Sequence, residues 1–203
     1  MSEVENDFLR GGFEAAYIDG STVVDPMYKP EFITNDRFNG KKVLSTIEDE
    51  LLRCDRFEIS VAFITESGIA PLLQTFRELE KKNIPGRILT TNYLSFSEPK
   101  ALEKLHGLKN ITIKMYDAEA ADTGFHTKGY IFKKSEIYRI IIGSSNMTGS
   151  ALACNWEWNT KIVSTENGEV ATQIVDEFER LWNSEYALDY TRFYEVYKER
   201  YQI

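Results

Sequence analysis

The chain has 203 residues, 24 Lys and Arg against 32 Asp and Glu, and a net charge of -8. With 42% hydrophobic and 28% charged residues it is globular, with one sizeable core or at most two small ones, which excludes disordered, collagen-like and coiled-coil classes. The acidic balance argues against bulk, sequence-blind affinity for nucleic acid and leaves only a local basic cleft as a route to it.

In chain order, the first twenty residues are acidic and lack the basic-then-apolar pattern of a secretory leader. No apolar run approaches the roughly 18 to 20 residues a membrane span needs. A cytoplasmic protein without a membrane partner is the expectation. Lys42 to Asp55 carries Val43, Leu44, Ile47, Leu51 and Leu52 at helical spacing. Phe57 to Ile64 reads as a buried strand. Ser67 to Lys82 aligns Ile69, Leu72, Leu73, Phe76 and Leu79 on one helical face, with a basic last turn. Arg87 to Thr91 is a second strand, Pro99 to Leu108 a short helix and Ile111 to Tyr116 a third strand.

This βαβαβ beginning predicts an α/β fold with a mixed, largely parallel sheet sandwiched between helices. Three strands then follow with little room for helices: Phe125 to Lys133, Ile137 to Ile142 and Trp156 to Val163, so the later strands are expected to be partly antiparallel. From Thr165 to Ile203 there are nine acidic and four basic residues, with Trp182, Tyr186, Tyr190, Phe193, Tyr197 and Tyr201 recurring every three or four positions. That aromatic stripe is expected to pack on the core or on a neighbouring subunit. Without repeats or low-complexity tracts, a single domain over 1–203 is the simplest organisation. Cys54 and Cys154 are too few and too far apart for a disulfide scaffold or a four-ligand zinc site, and are expected to be reduced.

Chemistry concentrates between Phe125 and Asn159. Along a strand His126, Lys128 and Tyr130 would share one face, opposite Phe125, Thr127 and Ile131. The apolar stretch Ile140 to Ile142 ends in Gly143-Ser144-Ser145-Asn146, which permits a tight turn and offers hydrogen-bond donors. Trp156 and Trp158 alternate with Glu157 and Asn159; the tryptophans are expected to fill the core beneath the site and the polar residues to face it. His106 has Leu108 where a second His-x-Lys would need lysine, and reads as a helix-end surface residue.

His126-Thr127-Lys128 followed by Gly143-Ser144-Ser145-Asn146 resembles the phospholipase D superfamily, whose signature joins His-x-Lys to a later Gly-Ser-x-Asn. Glu157 falls where the nuclease branch of that family keeps a carboxylate beside its histidine. The segments SVAFITESGIAPLL, GRILTTNYLSFSEPKAL, FHTKGYIF, IIGSSNMTGSAL and NWEWN look most like the phospholipase-D-like module at the front of certain DNA or RNA helicases and like related restriction nucleases. The resemblance runs from about Phe57 to Val163. One position departs from it: the family's Asp, seven places after the histidine, is Lys133 here.

The resemblance implies a phospholipase-D-like fold and a metal-independent phosphodiesterase acting on DNA, more than RNA. His126 would form a covalent phosphohistidine and so split one displacement into two. Glu157 would accept the other ring N–H, while Lys128, Asn146 and Ser144 would donate to the phosphate oxygens. Ser145, Tyr130 and Lys133 are expected to contact substrate. No cofactor or metal is expected, since protein donors replace a metal and no clustered ligand set exists in the sequence. The mechanism requires two histidines and the chain supplies one motif, so a two-fold homodimer sharing one cleft is implied. The chain is also expected to be the front part of a longer helicase-type protein, although no phosphate loop is present in it. The sequence keeps a second reading open, a catalytically weak nucleic-acid-binding or dimerisation module attached to such a motor. Lipid headgroup hydrolysis fits less well, for want of a basic amphipathic helix or a lipidation signal.

Overall fold

Phe57, Ile59 and Val61 alternate with Glu58 and Ser60, and this alternation decides which face of the sheet meets which layer of helices. The computed structural model describes Val4 and residues 29–201. Its elements are β1 (Glu31–Ile33), α1 (Val43–Arg53), β2 (Arg56–Val61), α2 (Glu66–Ile69), a 3-10 turn (Ala70–Leu72), α3 (Leu73–Lys81) and β3 (Gly86–Thr91). A second 3-10 turn (Tyr93–Ser95), α4 (Pro99–His106), β4 (Ile111–Tyr116), β5 (Lys128–Lys134) and β6 (Ile137–Gly143) follow. α5 (Gly149–Ala153), β7 (Asn159–Thr165), α6 (Glu169–Trp182), β8 (Ala187–Asp189) and α7 (Tyr190–Tyr201) complete the described chain.

The eight strands among the described residues form one sheet in the order β1-β7-β6-β5-β2-β3-β4-β8. The sheet is mixed, as expected, but its parallel part is confined to β2, β3 and β4, where α2, α3 and α4 make the crossovers. Every other pairing is antiparallel; β5 and β6 are joined by a two-residue turn, which leaves no room for a crossover. The helix expected over Ser67 to Lys82 is broken at its start, where Pro71 lies in the 3-10 turn. The edge strands β1 and β8 have three residues each, too few for a readable period.

One face of the sheet buries Phe57, Ile59, Tyr130, Phe132 and Ile141 against α1 to α4. Phe193, Tyr194 and Tyr197 of α7 join that core, and Tyr197 Oη donates to the Ser97 carbonyl at 2.7 Å. The opposite face buries Ile131, Tyr138 and Ile140 under α6. Arg87 fastens α6 to the sheet: it is bonded to Glu179 and Glu58, and its guanidinium lies 5.0 Å from the Phe178 ring and 5.4 Å from Trp182. The aromatic stripe of the tail therefore packs largely on the core, with Tyr201 at its exposed end. His106 ends α4 on the surface and stacks on Tyr190 at 3.7 Å. No helix among the described residues is long and apolar enough to cross a membrane.

Candidate active site

Where the parallel strands β2 and β3 end, β5 and β7 begin and β6 stops, so the polar loops of five strands converge on one edge of the sheet. Such edges are where open α/β sheets bind ligands. His126 sits there on the segment preceding β5, two residues short of the strand expected to carry it. Its neighbours fix it. Phe125 is buried against Tyr116 at 5.2 Å, and the Thr127 hydroxyl shares a hydrogen bond of 2.6 Å with that of Ser60, while Ala62 N donates to the Thr127 carbonyl. The imidazole itself is exposed, with Phe63 and Tyr93 edge-on to it at 5.9 and 6.4 Å.

Lys128 opens β5. Its Nζ lies 2.6 Å from His126 Nδ1 and donates to the His126 carbonyl at 2.9 Å. Burial lowers the Lys128 pKa below that of an ordinary lysine, and the Glu157 carboxylate partly opposes the shift. An apolar cavity of about 400 Å3 between α6 and the sheet also borders Lys128, together with Ile131, Ile142 and Phe178.

Gly143 ends β6 with no room for a side chain, since a Cβ would stand 2.2 Å from the Trp158 carbonyl oxygen. This close approach joins Ser144 to the segment before β7. Ser144 N donates to Trp158 O at 3.1 Å, Trp158 N donates to Ser144 Oγ at 3.1 Å, and Ser144 Oγ donates to Glu157 Oε2. Asn146 is half-buried, and its Oδ1 accepts from Phe63 N at 3.1 Å, leaving its amide nitrogen as the donor end. His126, Lys128, Ser144, Asn146 and Glu157 thus gather on one edge.

Several expectations are corrected. Glu157 does not take the second ring N–H of His126; it is held by Ser144, and the ring nitrogen Nδ1 faces Lys128 instead. Tyr130 is buried in the core and its hydroxyl donates to the Ser145 carbonyl at 3.0 Å, so it supports the loop and cannot touch substrate. Ser145 is equally buried, its N and Oγ both bonded to Asn159. Lys133 lies at the far end of β5, about 16 Å from Lys128 at the rise of a strand; it is paired with Glu166 and lies 5.2 Å from the Tyr138 ring. Trp156 and Trp158 do not fill the core. They precede β7 and are exposed, because β7 begins at Asn159 and the alternation expected across them is that of a loop. Thr127, Ser60 and Phe63 are positioning residues that sequence reading missed, and Asn159, expected to face the site, is buried and clamps Ser145.

The cardiolipin synthase, PLD-like domain model matches residues 50–182, more than half of the chain. Among curated proteins none matches in sequence. In structure the chain is similar to NucT from Helicobacter pylori, with a TM-score of 0.61, 14% identity and coverage of 79% of this chain and 98% of that one. It is also similar to Nuc, a phospholipase D family member from Salmonella typhimurium, with a TM-score of 0.58, 14% identity and coverage of 80% and 99%. Phosphatidylserine synthase from Haemophilus influenzae follows at a TM-score of 0.56 and 12% identity, covering 86% of this chain and 44% of its own. At these identities the likeness is one of fold.

Proposed function

The chain belongs to the phospholipase-D-like domain family, and from that premise we propose that it is a metal-independent phosphodiesterase that cleaves nucleic acid, DNA in preference to RNA, through a covalent phosphohistidine on His126. The contact of Lys128 Nζ with His126 Nδ1 carries this reading, because it sets an ammonium beside a solvent-facing imidazole with Ser144, Asn146 and Glu157 on the same edge.

When a phosphodiester arrives, the Lys128 ammonium turns from the ring to the non-bridging oxygens, joined by the amide of Asn146. Once the ammonium has left Nδ1, the ring proton exchanges through solvent from Nε2 to Nδ1, and the neutral ring presents the Nε2 lone pair to phosphorus. An N–P bond forms, the P–O bond to the leaving alcohol breaks, and the leaving oxygen takes a proton from a second histidine. That histidine next removes a proton from water, whose oxygen displaces His126. Glu157 keeps Ser144 in place and adds negative charge that favours protonated Lys128. With one such motif in the chain, the second histidine is supplied by His126 of another copy in a two-fold homodimer. A helicase motor attached beyond residue 203 is consistent with the resemblance of the sequence.

Hydrolysis of an end-labelled oligonucleotide in EDTA, lost in His126→Ala and kept in the remote variant Leu52→Ala, is the expected result. Failure to cleave DNA, RNA or a simple diester under these conditions rules the proposal out. Salt-sensitive binding with no turnover would point instead to a binding or dimerisation module.

A further inference from the structure

Large aromatic side chains are left in solvent beside the catalytic edge. Phe38 is 97% exposed, Trp156 81%, Trp158 73% and Phe32 65%. Loose loops do not account for this. Phe38 stands on a turn closed by reciprocal Asp36 and Lys41 backbone bonds at 2.9 and 3.0 Å, and the Asp36 carboxylate accepts from Phe38 N at 2.9 Å. Asn35, which is 3% exposed, donates from its amide to both Ala151 O and Asn155 O at 2.8 Å, and its Oδ1 accepts from Val43 N. One buried amide therefore ties the Phe38 turn to the segment bearing Trp156. Both rings, with Arg37, line a cavity of about 590 Å3. Trp158 is braced edge-on by Phe32 at 5.8 Å, and its backbone is the one bonded to Ser144. Through the Trp158 backbone this aromatic surface adjoins Ser144, next to the loop that carries Asn146.

We propose that Phe38, Trp156 and Trp158 form a stacking subsite for unpaired nucleobases flanking the scissile phosphate, which makes single-stranded nucleic acid the substrate. The proposal rests on the nuclease reading above. A strand whose phosphodiester is held at Lys128 and Asn146 lies on the same edge as these rings, and every base offers a π-face to them. In a duplex those faces are already stacked. At a net charge of -8 the protein has no general attraction to phosphate, so affinity for a strand has to come from local contacts, and these rings are one source. Arg37 in the cavity wall adds a cation to the aromatic surface.

Two of the three tryptophans are the exposed ones and Trp182 is buried, so intrinsic fluorescence reports on the subsite. The protein is titrated with oligothymidylate, with an abasic strand of equal length and with a hairpin duplex, and cleavage of each is measured in EDTA. The expected result is quenching by oligothymidylate, with binding at least about tenfold tighter than for the abasic strand, the order of one base stack. In Trp156→Ala and Phe38→Ala that ratio falls towards one. Cleavage without any preference for the base-bearing strand, or a preference for the hairpin, overturns the subsite and leaves the nuclease reading standing. Quenching without cleavage of any strand overturns the nuclease reading and leaves the subsite. Should Trp156→Ala convert a dimer to a monomer in sedimentation with the ratio intact, the patch is the interface between copies and the subsite is wrong.

Discussion

Lys128 Nζ bridges two atoms of His126, the ring nitrogen Nδ1 at 2.6 Å and the carbonyl oxygen at 2.9 Å. In the proposed mechanism the same ammonium leaves the ring to meet phosphate before attack begins. Lys128→Met is expected to lower kcat by about 10²- to 10³-fold, the size of losing one aimed donor, with little change in melting temperature. The pH profile separates this role from a structural one. Burial favours the neutral amine, so the alkaline limb of kcat falls below the pH at which an ordinary lysine titrates, and Glu157 opposes the shift. In Glu157→Gln the opposing charge is gone and the limb moves to lower pH, whatever happens to its height. A limb that does not move shows that Lys128 is not the titrating group.

Gly143 and Ser144 form the seam between β6 and the segment before β7. A Cβ at Gly143 would meet the Trp158 carbonyl at 2.2 Å and the Asn159 side chain at 2.4 Å, neither of which can move without breaking the Asn159 clamp on Ser145. Gly143→Ala is therefore expected to cost about 1–3 kcal/mol, as overpacking does. Ser144→Ala leaves the buried Glu157 carboxylate without its donor and is expected to cost about 1–3 kcal/mol. Urea unfolding of both variants at neutral pH measures these losses. Gly143→Ala with wild-type stability would show that the seam yields.

The central strands and the helices that cross between them were legible because a period of two or of about 3.6 runs through them; Ile111–Tyr116 matches its expected bounds. The candidate set of His126, Lys128, Ser144, Asn146 and Glu157 was legible as a spacing of residue types. Its wiring was not. Nothing in the order of residues tells that Glu157 bonds Ser144 and not His126, because that depends on where β7 starts, and the Trp-Glu-Trp-Asn alternation imitates a strand three residues early. The same slip reverses the fate of Trp156 and Trp158, from core to surface. Tyr130 misled for a related reason: it shares a strand face with Lys128, but that face dives under α1 to α4 two residues after the edge.

α6 is held to the sheet by charge, and its stability should depend on acid. Arg87 keeps the Glu179 carboxyl below the usual glutamate range, chiefly by hydrogen bonding. A depressed carboxyl contributes stability above its unfolded value and loses it as pH falls through the folded one. Glu58 has the opposite sign: burial raises its carboxyl, so it weakens the fold as pH rises through the ordinary glutamate value. The advantage of wild type over Glu179→Gln in melting temperature should therefore be present at neutral pH and shrink on acidification below the ordinary glutamate range. Thermal unfolding across a pH series tests this. An advantage that is constant with pH would mean that Arg87 holds α6 through Phe178 and Trp182 alone.

The two cysteines give a chemical handle on the aromatic edge. Cys54 is buried, with its Sγ donating to Leu51 O at 3.2 Å, and desolvation pushes its thiol up to about 12. The thiolate is the reactive form, so Cys54 should be inert in the folded protein. Cys154 is exposed at the end of α5 and lines the same cavity as Phe38 and Trp156. A disulfide-exchange reagent at mild alkaline pH is expected to titrate one thiol rapidly in the native protein and the second only after denaturant is added. A bulky adduct on Cys154 occupies the cavity, so it should weaken oligothymidylate binding more than abasic-strand binding, while Cys154→Ser protects against the effect. Rapid release of two equivalents from the native state would show that α1 opens readily around Cys54, and equal weakening of both strands would show that the adduct acts on the phosphate site and not on base stacking.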